Sequence, residues 1–202
     1  MKRRIAGGNA AGARAGAGGS VRIIGGHWRG TRLPVPDRPG LRPTSDRVRE
    51  TLFNWLMPAL PGAQVLDLFA GSGALGLEAV SRGAAQATLV ERDAQLASNL
   101  RTHVQRLGAQ DRVRVVEDDA LRWLAQASGP PCTIAFVDPP FADGLWQAVL
   151  PALAPHLAPA AWVYVESPPA LAPPLPPGWQ LHRELQTAQA RAALYRGPEA
   201  GR

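Results

Sequence analysis

The chain has 202 residues, enough for one domain with an extension and a core of ordinary size. Its single cysteine, Cys132, excludes an intramolecular disulfide framework and fits a reducing, cytoplasmic setting; no apolar run reaches membrane-spanning length. The net charge of +6 is lopsided: residues 1–50 carry eleven Lys/Arg against three acids, and the remainder eleven against thirteen. A basic front end on a nearly neutral body implies a polyanionic partner, with a tail kept for solubility as the plainer reading.

In chain order, residues 1–20 mix Ala, Gly and Arg and are expected to form a disordered basic arm. They have neither the apolar stretch of a secretory signal nor the amphipathic pattern of an organellar presequence. Val21–Leu33 is expected to be two short strands around Gly25-Gly26, with Arg22, Arg29 and Arg32 alternating with Ile23, Ile24, Trp28 and Leu33. Such a hairpin can lay arginines on phosphates and offer Trp28 to a base, or Trp28 can simply pack the hairpin onto the body. A proline-stiffened connector, 33–43, leads to a helix starting near Thr44 or Ser45. Its apolar face is Val48, Leu52 and Trp55/Leu56, with Arg47 and Arg49 pointing away. Pro58 and Pro61 end that helix.

From there strands and helices alternate: strand 65–69, helix 74–82, strand 87–91, helix 94–107, strand 113–117, helix 120–126, strand 133–137, helix 143–153 and strand 161–166. This is the signature of a parallel sheet with crossover helices. The chain closes on two adjacent strands, 179–185 and 190–196, read as an antiparallel pair. The expected organisation is an arm (1–20), a polyanion-binding extension of hairpin and helix (21–60), a main α/β domain (61–197) and a tail (198–202).

Chemistry concentrates at the carboxyl ends of the strands. Gly71-Ser-Gly-Ala-Leu-Gly76 follows the first main-domain strand and satisfies a dinucleotide fingerprint, with glycines that let backbone N–H groups face a ligand. Asp67 beside that turn would repel a pyrophosphate, and Asp138-Pro139-Pro140-Phe141 has no part in nicotinamide chemistry, although a dehydrogenase stays open at this stage. A cofactor with an ammonium group, a ribose diol and a sulfonium, S-adenosyl-L-methionine, suits both. Asp67 and the turn (Phe69, Ala70, Gly71, Gly73) would hold its methionine end, and Glu91, next to Arg92, its ribose. Asp119, next to Ala120, would take the adenine amine, with Asp118 as rival and a helix N-cap as the plainer role for Asp119. In Asp138-Pro-Pro-Phe141 the prolines stiffen the corner. The Asp138 carboxylate and Pro139 carbonyl could then accept both hydrogens of an exocyclic amine while Phe141 stacks on its ring. Pro130-Pro-Cys132 is similar to a cytosine-C5 nucleophile motif but lies at the wrong end of its strand. The histidines have no metal-ligand spacing, so no metal is expected, and His103 is expected on a helix surface.

Together, Arg22–Gly30, Leu41–Trp55, Asp67–Glu78 and Phe136–Phe141 closely resemble the RsmD family, bacterial methyltransferases that modify guanine N2 in 16S ribosomal RNA. The resemblance spans about residues 21–196. It implies a Rossmann-like class I methyltransferase fold with a seven-stranded, mostly parallel sheet ending in an antiparallel pair. It also implies S-adenosyl-L-methionine as methyl donor and 16S rRNA in the small subunit as substrate, with ribosomal proteins alongside; separately from the resemblance, a monomer is expected. Carried over by position, Arg42, Thr44 and Arg47 would border the cofactor or the flipped base. The chain departs from the family at Gln186-Thr-Ala-Gln-Ala190, where a glycine-bearing stretch is usual. Asp-Pro-Pro-Phe also serves adenine-N6 methyltransferases, and Asn-Pro-Pro relatives act on protein glutamine, so those targets and a non-catalytic ribosome assembly factor remain alternatives.

Overall fold

The computed structural model describes residues 19–36 and 45–199. Residues 1–18 of the expected arm, most of the proline connector, Arg42 and Thr44 lie outside the described residues, and Ser20, expected in the arm, instead opens the first strand. Strands β1 (Ser20–Arg22) and β2 (Arg32–Pro34) form an antiparallel ribbon, Val21 opposite Leu33. Both read exposed–buried–exposed, so period-two alternation puts Val21 and Leu33 inward and Arg22 and Arg32 outward. Helix α1 (Asp46–Leu56) follows, capped by Ser45, whose hydroxyl accepts the Val48 N–H.

The main sheet alternates as expected: β3 (Gln64–Asp67), α2 (Gly76–Ser81), β4 (Gln86–Glu91), α3 (Ala94–Arg106), β5 (Val113–Glu117), α4 (Ala120–Gln126), β6 (Cys132–Val137), α5 (Trp146–Leu153), β7 (Leu157–Ser167), β8 (Gln180–Gln186) and β9 (Arg191–Arg196). Strand order is β5-β4-β3-β6-β7-β9-β8, parallel except for β9, which is antiparallel to both its neighbours. The order reverses beside β3, opening a crevice at the carboxyl ends of β3, β4 and β6. Among the described residues, no helix is long and apolar enough to cross a membrane.

Two expected helices are shorter. Gly71 and Gly73 both have positive φ (51° and 77°), which prolongs the turn and delays α2 to Gly76. Gly144 (φ 60°) separates a 3₁₀ turn, Phe141–Asp143, from α5 and breaks up the single helix expected over 143–153. The departure at 186–190 leaves the strand pairing intact. The Thr187 hydroxyl accepts the Gln189 and Ala190 N–H groups, closing a tight hairpin with Gln186 opposite Arg191.

Alternation along the strands divides the core. Val65, Ile134, Phe136 and Tyr164 pack with α1, α2 and α3 on one face; Leu66, Ala135, Val137 and Val165 pack with α4 and α5 on the other. Ile23, Trp28 and Leu33 of the hairpin join the first cluster, so the extension shares a core with the sheet. A buried acid bolts it there: the two oxygens of Glu78 on α2 accept the Ile24 and Gly25 N–H groups, both at 2.7 Å. Arg82 Nε donates to Glu78 at 2.6 Å, and Arg49 Nη1 lies 3.8 Å from it. Arg49, expected to leave the apolar face of α1, is instead only 1% exposed, its Nη2 donating to the Arg22 carbonyl and to Asp46. Helical spacing sees an arginine beside Val48 and Leu52 but not the acid on another helix that draws it inward. His103 is likewise buried rather than on the surface, its Nε2 2.9 Å from the Pro34 carbonyl, where it ties β2 to α3.

Candidate active site

A cavity of about 940 Å³ opens at the carboxyl ends of β3, β4, β5, β6 and β7. Its wall carries Asp67, Glu91, Asp93, Asp118, Asp119, Asp138 and Glu166, against Arg92 as the one basic lining residue among the described residues. Such a field suits a cation and repels phosphate.

The glycine turn works differently from a phosphate cradle. Its N–H groups point at the protein's own acids: Gly71 N–H donates to Glu91 Oε2 (2.8 Å) and Gly76 N–H to Asp67 Oδ2 (3.0 Å). Glu91 Oε1 accepts the Asp93 N–H as well (2.8 Å), so both its oxygens are aimed by backbone while each keeps a lone pair for a ligand. Gly76 is tightly packed: a Cβ there would meet Leu89 Cδ2 at 2.1 Å, so a larger residue would require the buried Leu89 side chain to move. Gly73 shapes the turn but does not line the cavity; its N–H donates to the Ala70 carbonyl and its Cβ position is filled by Leu77 and Leu100.

Asp67 is 2% exposed, and burial, with the Glu91 charge adding to it, pushes its carboxyl up to about 7. Between pH 4 and 7 the folded protein therefore holds a proton that the unfolded chain has released. Stability from this group is present at low pH and is lost as pH rises through that window, by up to on the order of 4 kcal/mol. Asp67→Asn should flatten the thermal-melting profile between pH 5 and 8, with its largest stabilisation at pH 8. A variant whose pH profile parallels the parent's would locate the titration elsewhere.

The remaining expected residues divide. Phe69, Ala70, Arg92, Ala120, Asp138, Pro139, Pro140 and Phe141 all line the cavity, with Phe141 packed 5.9 Å from the Trp146 ring. Arg92 also pairs with Asp143 (2.9 Å), linking the β4 end to the turn after Phe141. Asp119 caps α4 by accepting the Leu121 and Arg122 N–H groups, and it also lines the cavity. Asp118, equally in the wall, is held by Arg122. Arg47 stands exposed on α1 and does not line the cavity. Arg22, Arg29 and Arg32 are exposed, Arg22 pairing with Asp46, whereas Trp28 is 8% exposed beneath the Arg112 guanidinium. Of the two readings of Trp28 the packing one fits, because its buried ring joins Ile23 and Leu33 in fixing the hairpin onto the body.

Sequence reasoning passed over Glu166 and the Thr187–Ala190 turn, both in the wall. Glu166 carried a usable signal: like Glu91, it is an acid near the end of an apolar strand. The hairpin turn carried none, since only the insertion of β9 beside β7 brings it to the crevice.

Sheet order, a carboxylate-walled crevice at the switch point and an Asp-Pro-Pro-Phe corner opening into it define a class I methyltransferase. The family model described as Conserved hypothetical protein 95 matches residues 21–196. Ribosomal RNA small subunit methyltransferase D of Escherichia coli (strain K12) is 52% identical over 186 residues, covering 91% of this chain and 93% of that protein. The protein of the same name from Haemophilus influenzae is 42% identical, covering 89% and 95%. Among solved structures, a putative methyltransferase, yhhF, from Escherichia coli superposes with a TM-score of 0.82 at 50% identity, covering 91% of this chain and all of that one. The chain belongs to this family, that of the small-subunit rRNA methyltransferases D.

Proposed function

We propose that this enzyme transfers a methyl group from S-adenosyl-L-methionine to the exocyclic N2 amine of a guanine in 16S rRNA of the small ribosomal subunit. One observation carries the reading: Asp138-Pro139-Pro140-Phe141 lines the same cavity as Glu91 and the Gly71 turn, so an amine-binding corner and a diol-binding acid face one space. The names of the relatives supply the substrate class. The acidic wall fits the cofactor, with Asp67 meeting its ammonium, Glu91 its two ribose hydroxyls and Asp119 or Asp118 its adenine amine.

When bound, S-adenosyl-L-methionine supplies an electrophilic methyl on a sulfonium. The chain's residues prepare the nucleophile. An aromatic amine is weakly nucleophilic because its lone pair is delocalised into the ring. The Asp138 carboxylate and the Pro139 carbonyl accept its two hydrogens and turn the lone pair out of the ring plane, Phe141 stacks on the base, and Asp138 takes the proton that the amine loses. Positioning and electrostatics supply the acceleration. Arg22, Arg29 and Arg32, with the basic arm, contact phosphates and offset the few kcal/mol needed to unstack the base.

Tritiated methyl transfer to small subunits from cells lacking this protein, followed by mass spectrometry of the rRNA, tests the reading. The expected product is one N2-methylguanosine. Label on adenosine, on a ribosomal protein or nowhere would replace it.

A further inference from the structure

We infer that Glu166 is the residue that makes the site select guanine, by accepting the N1–H beside the amine that Asp138 holds. The inference rests on the function proposed above and adds a specificity-determining residue to it.

The geometry begins with register. β6 and β7 are parallel, Phe136 opposite Tyr164 and Val137 opposite Val165, so Asp138 and Glu166 come next, side by side on neighbouring strands about 5 Å apart. Alternation sends Val137 and Val165 to the α4–α5 face and leaves Asp138 and Glu166 on the face of Phe136 and Tyr164. Both acids line the cavity. On its other flank Glu166 is opposite Ala192, whose small side chain also borders the cavity and leaves room there.

Glu166 is held in a built setting. The Tyr164 hydroxyl donates to its Oε2 at 2.9 Å, and Trp146 Nε1 donates to its backbone carbonyl at 2.8 Å. Tyr164 is fully buried, and burial, reinforced by the nearby Glu166 and Asp138 charges, raises its hydroxyl well above the ordinary range, so it remains a donor. A carboxylate has about four acceptor sites, so it can accept from a ligand as well as from the protein.

Two acids side by side on one wall suit an edge rich in donors. The Watson–Crick edge of guanine has three adjacent N–H bonds, two on N2 and one on N1. With both N2 hydrogens on Asp138 and Pro139, N1–H meets Glu166. Adenine placed with its amine in the same corner would turn the N1 lone pair toward a carboxylate. Discrimination thus comes from one hydrogen bond gained by guanine and one repulsion suffered by adenine.

The test uses 2-aminopurine, which keeps the C2 amine but has an unprotonated N1. Small subunits are reconstituted with guanine or 2-aminopurine at the methylated nucleotide mapped above, and tritiated methyl transfer is compared. The parent enzyme should favour guanine by about tenfold to hundredfold. In Glu166→Gln the Tyr164 hydroxyl holds the amide oxygen and turns the NH₂ toward the base, so the ratio should fall to about one or invert. Cofactor affinity by calorimetry should stay within about twofold. Tyr164→Phe, which keeps the acid but removes its anchor, should lower the ratio several-fold and carries the test if Glu166→Gln does not fold. A guanine preference unchanged in these variants, even with both rates reduced, overturns the assignment and leaves Glu166 a structural acid. Absence of transfer to guanine by the parent enzyme would remove the proposed function itself and this inference with it.

Discussion

Replacing Asp138 by alanine should lower methyl transfer to unmethylated small subunits by more than about a thousandfold, while S-adenosyl-L-methionine binds within about twofold of the parent affinity. Asp138 follows β6, and the acids assigned to the cofactor's three polar ends lie on β3, on β4 and after β5. Truncating it removes an acceptor for the amine hydrogens and the group that takes the departing proton, but touches no group assigned to ammonium, diol or adenine. The effect should therefore fall on kcat rather than on cofactor affinity. Asp138→Asn keeps one acceptor oxygen and should retain more activity than alanine. Calorimetry with the cofactor, set beside single-turnover transfer, separates the two quantities. Loss of cofactor binding in Asp138→Ala would show that the residue had been assigned to the wrong ligand.

Glu78→Ala should produce the largest loss of stability, about 3–5 kcal/mol, or a fall in Tm of about 10 °C for a chain of this size. Glu78 is fully buried and accepts two hairpin N–H groups besides facing Arg82 and Arg49. Arg49 is itself buried; its Nη2 pairs with Asp46, while among the described residues its Nε and Nη1 have no hydrogen-bond partner, so Glu78 is the buried charge facing that side of the guanidinium. Without that acid the buried guanidinium is left with the solvent-exposed Asp46 as its counter-charge, and the Ile24 and Gly25 amides lose their acceptors. Protection of those two amides in hydrogen exchange should collapse before that of β3 or β6. Uniform loss of protection would mean that Glu78 supports the whole sheet rather than the hairpin. Gly26 adds to the same junction: a Cβ there would lie 1.9 Å from the Ser81 carbonyl oxygen, so Gly26→Ala should also loosen the hairpin.

Much of the molecule was legible because its signals are local. The β3-to-α5 alternation follows from apolar periodicity and glycine punctuation, and Asp67, Glu91 and Asp138 stand out as acids where apolar runs stop. The Asp-Pro-Pro-Phe corner needs no partner to be recognised, since its stiffness is covalent. Ser45 and Asp119 as caps follow from hydrogen bonds made within three residues.

What only the tertiary structure decided involves partners far apart in the chain. Arg49 and His103 look like surface residues until Glu78 and the Pro34 carbonyl are brought to them. Trp28 is equally suited to a base and to a core, and the body beneath the hairpin decides for the core. The turn N–H groups read as ligand donors until Glu91, twenty residues from Gly71, arrives to take one of them. Glu166 becomes Asp138's neighbour only through the pairing of β6 with β7. Periodicity determines which face a residue takes along its own strand; which charge waits on that face depends on sheet order, and no stretch of single chain encodes that locally.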